Sequence, residues 1–368
     1  MTYTQHKGPV SVMLMGPFAY EAPSHPGPAT LLLKSTTIFN RWGTETMKLA
    51  FVGKGGSGKT TMASLFARRA AALGHPVMAV DADINQHLAA ALGLDAEAAA
   101  MGPVLGEHLG DIKEYLRGTN PLIPSADLML KTTPPGPGSR LLTVRESNPV
   151  LDALFTEHAG IRFAATGGFV DDDLGVACYH SKVGAVELLL NHLIDGPEEF
   201  VVVDMVAGAE AFASGMFTRF DHTFLVCEPT LRSVGVYKQY VGYAEDYDVR
   251  IAVIGNKIDD EDDVAFLREH VGDALIGGCT RSKYVKAAER GSVGPVEALE
   301  PENLDVIDAA RERAVNGGKD WAKFTRQAHE FHRKAAQAWG NDRAGVDLAD
   351  QIVPGYVLGE HLLRAPAV

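Results

Sequence analysis

Gly53-Lys54-Gly55-Gly56-Ser57-Gly58-Lys59-Thr60-Thr61 sets two lysines and two threonines on a run of glycines. The spacing fits G-x-x-x-x-G-K-[ST], a loop whose backbone N–H groups can converge on phosphate oxygens without Cβ clashes. Lys59 can reach the β- and γ-phosphates of a nucleotide, and the Thr60 hydroxyl can hold Mg²⁺. Leu49-Ala50-Phe51-Val52 ahead of the loop predicts a buried strand, and residues 62–73, rich in Ala, Leu and Arg, predict a helix. In that order of strand, loop and helix, the helix N-terminus adds its dipole to the anion site. Lys54, directly after the first glycine, is an extra cation that the general pattern does not require.

Three further apolar runs end in polar residues. Residues 76–83 predict a second strand ending in two acids, Asp81 and Asp83, with Asn85 and His87 at the start of an Ala- and Leu-rich helix. Two acids after a strand can simply cap a helix; one helix downstream of a phosphate loop, they suit the metal and water side of the same site. After Glu199, residues 200–203 form an unbroken apolar run ending in Asp204, as expected of a strand covered on both faces of a parallel sheet. That acid would emerge at the carboxyl edge, where ligands of open α/β sheets bind. Residues 251–254 predict a fourth strand, followed by Asn256-Lys257-Ile258-Asp259. This Asn-Lys-x-Asp indicates a base pocket and leaves the base open: a carboxylate there can accept two N–H groups of guanine, and a similar Asn-Lys also occurs at adenine pockets.

Together these residues resemble the MinD/ParA/CooC superfamily of deviant Walker A ATPases. The resemblance implies a doubly wound α/β fold of the SIMIBI class of P-loop NTPases, with a mostly parallel sheet, ATP and Mg²⁺ as ligands, and a nucleotide-dependent homodimer that hydrolyses ATP to ADP. It implies that Lys54 reaches the partner's nucleotide while Lys59 serves its own. Asp83 would position the attacking water. Asp81, Asp204 and Thr60 would support Mg²⁺, and the Gly208 N–H would sense the γ-phosphate. Gly53, Gly55, Gly56, Ser57, Gly58 and Thr61 complete the phosphate cradle. Asn256, Lys257 and Asp259 would line the base, with ATP favoured over GTP because the signature lysine belongs to the ATPase branch.

Within the superfamily the chain is most similar to the CooC-like branch. Asp204-Met205-Val206-Ala207-Gly208-Ala209-Glu210 resembles its D-x-x-A-G-x-E, and Val226-Cys227-Glu228-Pro229 with Ser233 resembles its V-x-E-P-x-x-x-S. Residues 281–291 and 293–299 resemble the loop and helix that close its nucleotide site. The resemblance spans residues 47–299. That branch assists nickel insertion into carbon monoxide dehydrogenase, so it implies a client metalloprotein. Where the branch carries Cys-x-Cys, this chain has Cys178-Tyr179-His180. One thiolate and one imidazole from each of two subunits could still build an S₂N₂ site for Zn²⁺ or Ni²⁺.

Composition narrows the alternatives. The chain has 368 residues, 46% hydrophobic and 22% charged, as in a globular protein. No apolar run approaches the about 18 residues of a membrane helix. A net charge of −13 argues against broad binding to nucleic acid or anionic membrane, and so against a MinD/ParA-like positioning ATPase acting on a cellular surface. Three cysteines make no disulfide framework, which points to the cytoplasm. An amidoligase would need a glutaminase domain with a nucleophilic cysteine, and neither Cys227 nor Cys279 has that context. Residues 1–46, rich in Pro, Gly and Thr, are expected to be a disordered extension or the product of an upstream start, with 47–300 the ATPase domain. Residues 301–368 are expected to form a helical tail in which Trp321, Phe324, Ala328, Phe331, Ala335 and Ala338 share one packed face.

Overall fold

The computed structural model describes residues 47–95, 102–168, 179–196, 198–208, 212 and 215–363, with residues 179–181 described by their backbone alone. Eight strands form one sheet: β1 (Met47–Gly53), β2 (Val77–Ala82), β3 (Thr156–His158), β4 (Ile161–Ala165), β5 (Phe200–Met205), β6 (His222–Cys227), β7 (Ile251–Ile258) and β8 (Leu275–Thr280). Their order is β3-β4-β2-β5-β1-β6-β7-β8, and every pair is parallel except β3 with β4. The doubly wound, mostly parallel P-loop fold expected from the sequence is therefore present. The short antiparallel edge pair, β3 with β4, was not foreseen; β3 is too short and too exposed to leave a pattern.

Helices cover both faces, which is why the strands are apolar at successive positions. Alternate side chains feed two separate cores. Ala50, Val52, Val80, Val201, Val203 and Leu225 belong to one. Leu49, Phe51, Ala79, Val202, Phe224 and Val226 belong to the other. The second core is closed by α1 (Lys59–Ala72), which packs on α2 (Leu88–Leu92). The first is closed by α3 (Leu109–Arg117), α4 (Pro149–Leu154), α5 (Tyr179–His192), α6 (Leu231–Ala244) and α7 (Glu261–Val271). Helix α7 shows the local logic: Asp260 accepts the Asp263 N–H at 3.1 Å, acids fill its first turn, and Arg268 and His270 lie in its last. Beyond β8 come α8 (Lys283–Ala288), α9 (Pro301–Gly317) and α10 (Trp321–Ala335). Ile307 and Ala310 of α9 are fully buried in the second core, against α1 and β8. Among the described residues no helix is long and apolar enough to cross a membrane.

Helix α10 packs most of its expected face: Phe324 and Ala328 are buried, and Trp321, Phe331 and Ala335 are half-buried against core clusters. Ala338 is exposed instead, and His329 and His332 are buried as well. A π-helical stretch, Ala336–Gly340, breaks the period. The His332 ring is satisfied at both nitrogens: Nδ1 lies 3.1 Å from Thr132 Oγ1, and Nε2 lies 3.0 Å from the Leu348 carbonyl. The Leu348 carbonyl can only accept, so Nε2 carries the proton and Nδ1 accepts from Thr132. Burial then holds His332 neutral, with its pKa lowered to about 4.

The amino edge of the sheet carries a buried charge network. Lys48 Nζ lies 2.9 Å from Asp195, and Lys319 Nζ lies 2.6 Å from Asp195 and 2.7 Å from Asp221. Lys48 also donates to the Leu193 carbonyl at 2.6 Å and sits 4.5 Å from the Phe324 ring centroid. Burial lowers the Lys48 pKa to about 8, whereas both lysines hold Asp195 well below the usual carboxylate range against the opposing pull of burial. The network ties the entry to α10 to the starts of β1 and β6. Each charge depends on the others, because an unpaired buried charge is costly. We expect Lys319→Ala to destabilise the protein by about 3–5 kcal/mol in urea unfolding. Lys334→Ala, which breaks the exposed pair with Glu330, should cost under about 1 kcal/mol. Similar losses from the two variants would contradict this account of the amino edge.

Candidate functional site

Three strand ends converge at the carboxyl edge. Asp81 of β2 and Asp204 of β5 are direct register partners, and Asp204 is also in register with Phe51 of β1, two residues before the glycine loop. The loop turns at Gly58, whose φ is +96° and where a Cβ would collide with the Asn256 amide. Glycine is thus required twice over, by the left-handed backbone and by the contact. Helix α1 starts at Lys59, so its free N–H groups open onto the loop.

The polar side chains form two pairs. Lys59 Nζ lies 2.5 Å from Asp83 Oδ2. The Thr60 hydroxyl donates to Asp204 Oδ2 at 2.5 Å. Asp83 Oδ1 accepts the Asn85 N–H at 2.9 Å, and Asp81 accepts the N–H groups of Leu88 at 2.8 Å and Asp83 at 3.1 Å. Burial pushes Asp81 up to about 6 despite those two donors. Asp204 is pushed up to about 7, first by burial and then by Asp81 across the register. Asp83 behaves oppositely: burial raises it, but the Asn85 N–H and the Lys59 ammonium outweigh burial and hold it below the usual range. One carboxylate is therefore firmly ionised beside a lysine, and two are poorly solvated acids that a cation would stabilise.

A cavity of about 1020 Å³ opens over this cluster, lined by the loop, Asp83, Asn85, Gly208, Arg68 and Tyr284 among others. Lys54 lines it, half-buried, with no ion pair or hydrogen bond to its ammonium among the described residues. A second cavity of about 570 Å³ adjoins it at Gly56 and Gly58, bounded further by Asn256, Lys257, Thr280, Arg281, Leu299 and Asn303. Its proportions suit a base and sugar. Asp259 does not line it; the carboxylate is exposed and takes the Arg281 Nε–H at 2.9 Å. Asn256 and Lys257 do line it, and they have a second engagement as well. They lie within β7, and their side chains turn to the loop: Asn256 Nδ2 donates to the Ser57 carbonyl and Lys257 Nζ to the Gly56 carbonyl, each at 2.7 Å.

The structure thus brings Gly53, Lys54, Lys59, Thr60, Thr61, Asp81, Asp83, Asp204 and Gly208 to one edge, with Asn256 and Lys257 behind the loop. Cys178 and the side chain of His180 lie outside the described residues, as do residues 1–46. Among the described residues no group of three or more His, Cys, Asp or Glu side chains could hold a metal ion. The sequence reasoning missed Arg68. It donates to the Tyr284 hydroxyl at 2.6 Å and to the Gly294 carbonyl, fastening the 284–294 segment over α1. Its spacing from Ser64 and Thr61, one turn and two turns along one helix face, was the available signal.

Comparison with known proteins agrees with this geometry. Residues 49–294 match the family model of the CobQ/CobB/MinD/ParA nucleotide binding domain. The carbon monoxide dehydrogenase accessory protein CooC of Rhodospirillum rubrum is 28% identical over 249 residues, covering 67% of this chain and 88% of that protein. An uncharacterized ATP-binding protein of Methanocaldococcus jannaschii is 29% identical over 236 residues, covering 63% and 84% respectively. Among solved structures, the MinC:MinD cell division complex of Aquifex aeolicus aligns with a TM-score of 0.49 and 21% identity, over 72% of this chain and 94% of that one. The glycine loop, the acids in register beside it and the family match together place the chain in the CobQ/CobB/MinD/ParA nucleotide-binding family, on its CooC-like side.

Proposed function

We propose that this protein is a Mg²⁺-dependent ATPase that closes as a homodimer around ATP and reopens on hydrolysis, and that it serves the maturation or metal loading of a client metalloprotein. The observation that carries the nucleotide reading is the adjacency of two pairs at one helix N-terminus, Lys59 with Asp83 and Thr60 with Asp204. The client reading rests on the similarity to an accessory protein of carbon monoxide dehydrogenase.

The residues fit a hard cation. Asp204 Oδ1 is buried without a protein partner, its other oxygen faces the Thr60 hydroxyl, and the donors are all oxygen. Thr60 would hold Mg²⁺ directly, with Asp204 and Asp81 around it. When bound, Mg²⁺ supplies charge neutralisation on the phosphate oxygens. The chain's own part is positioning. Loop N–H groups orient the phosphates, and Lys59 neutralises them. Asp83, ionised and steadied by Asn85, stands ready to hold a water proton. Lys54 lines the cavity and has no ion-pair or hydrogen-bond partner for its ammonium among the described residues, which supports a role toward the nucleotide of a second subunit.

Lys59→Ala is expected to abolish ATP binding in calorimetric titration. Lys54→Ala should retain binding and lose phosphate release; full hydrolysis by Lys54→Ala would rule out its service across the dimer. The base should be adenine, because Asp259 is turned away to Arg281 and does not reach the smaller cavity. We expect ATP to outcompete GTP by at least about tenfold, since a guanine lacking its carboxylate partner leaves N–H groups unpaired; preference for GTP would reverse this reading. The raised acids give a pH test. Unfolded Asp titrates near 4, so ionising Asp204 in the folded state costs stability that is absent below about pH 4 and fully present above its folded pKa of about 7. Without added divalent cation, Asp204→Asn should therefore melt higher than wild type at pH 8, with the difference shrinking toward pH 5. A pH-independent difference would show that Asp204 is not the titrating group.

A further inference from the structure

Two neighbouring carbonyls of the phosphate loop are held by two neighbouring side chains of β7. Lys257 takes the Gly56 carbonyl and Asn256 takes the Ser57 carbonyl. In a trans peptide the N–H lies opposite the C=O. Holding the Ser57 carbonyl outward therefore aims the Gly58 N–H toward the cavity. Holding the Gly56 carbonyl fixes the preceding peptide, whose Ser57 N–H closes the loop onto the Lys54 carbonyl at 3.0 Å. Gly56 has a φ of +82°, so without these ties that stretch has ample conformational freedom.

Lys257 is itself held. Its backbone is left-handed, φ +60°, which is uncommon for a residue with a side chain. The pairing of β7 with β8 shifts register between Asn256 and Ile258, so a bulge at Lys257 turns its side chain toward the loop. Its ammonium lies 2.5 Å from Glu228 Oε1. Glu228 follows β6 directly, is largely buried, and has its own N–H 3.3 Å from the Ser233 hydroxyl in the first turn of α6. Glu228 is thus anchored through its backbone at the end of β6, and its carboxylate pairs with the lysine that holds the Gly56 carbonyl.

Resting on the nucleotide reading above, we propose that Glu228 is a positioning residue for phosphate binding, acting through Lys257 to set the Gly56–Ser57 peptide of the loop. The Asn-Lys segment then serves the triphosphate as well as, or instead of, the base. A test uses the full chain as wild type, Glu228→Gln, Lys257→Met and the double variant. Each is titrated calorimetrically with ATP and with inorganic tripolyphosphate, both in Mg²⁺, after a melting curve. Glu228→Gln should weaken ATP and tripolyphosphate by the same factor, roughly tenfold for a charge-assisted bond. It should change nothing further when Lys257 is already Met. Loss of ATP affinity with tripolyphosphate binding intact would assign the pair to the base and overturn the proposal. Additive effects of the two substitutions, no effect of Glu228→Gln, or its failure to fold would overturn it equally. A wild-type chain that binds neither ligand would instead remove the nucleotide reading, and this inference with it.

Discussion

A parallel sheet covered on both faces leaves charged groups only its two edges. Every strand residue between them must be apolar or satisfied, and here alternate side chains feed two separate cores. The consequences run in both directions. At the amino edge Lys48, Asp195, Asp221 and Lys319 neutralise one another and tie the C-terminal helices to the sheet. At the carboxyl edge the charges do not cancel so completely. Asp81 and Asp204 face each other in register, and both are pushed toward protonation. The same edge offers an α-helix N-terminus and a ring of loop N–H groups. That combination calls for an anion carrying its own cation, which is a description of Mg²⁺ with a nucleoside triphosphate.

On the proposed reading, the groups at this edge need little chemistry of their own. Phosphoryl transfer is served mainly by position and charge, and the contacts around the loop fix position. Asn256 and Lys257 hold two loop carbonyls, Arg68 fastens the segment that walls the site, and Asp83 is steadied by Asn85. The two cavities share Gly56 and Gly58 in their walls, so on the proposed reading the phosphate end and the base end adjoin at the loop.

Much of the site was legible in sequence because its signals are local. The glycine loop, and the acids that end β2 and β5, each sit within a few residues of an apolar run, and strand direction brings them to one edge. The remainder depends on contacts between distant segments. Asn256, Lys257 and Asp259 were expected to line a base pocket; Asn256 and Lys257 line the smaller cavity, but a bulge in β7 also ties Lys257 to the loop, and Arg281 takes Asp259 away from it. The amino-edge network joins residues 48, 195, 221 and 319, a grouping that no local pattern contains. Helix α10 keeps most of the apolar face its pattern predicts, but a π-helical stretch after it leaves Ala338 exposed, and two distant partners let His332 be buried beside that face.

The central claim is that one edge holds the triphosphate and its metal while the smaller cavity holds the base. A crystal structure of the full chain with Mg²⁺ and a non-hydrolysable ATP analogue tests it most directly. The account predicts phosphate oxygens on the N–H groups of Gly55 to Thr60, Mg²⁺ at the Thr60 hydroxyl on the Asp204 side, and adenine beside Asn256, Arg281 and Asn303. Adenine lodged in the larger cavity against Arg68 and Tyr284, or Mg²⁺ held away from Thr60, would contradict it.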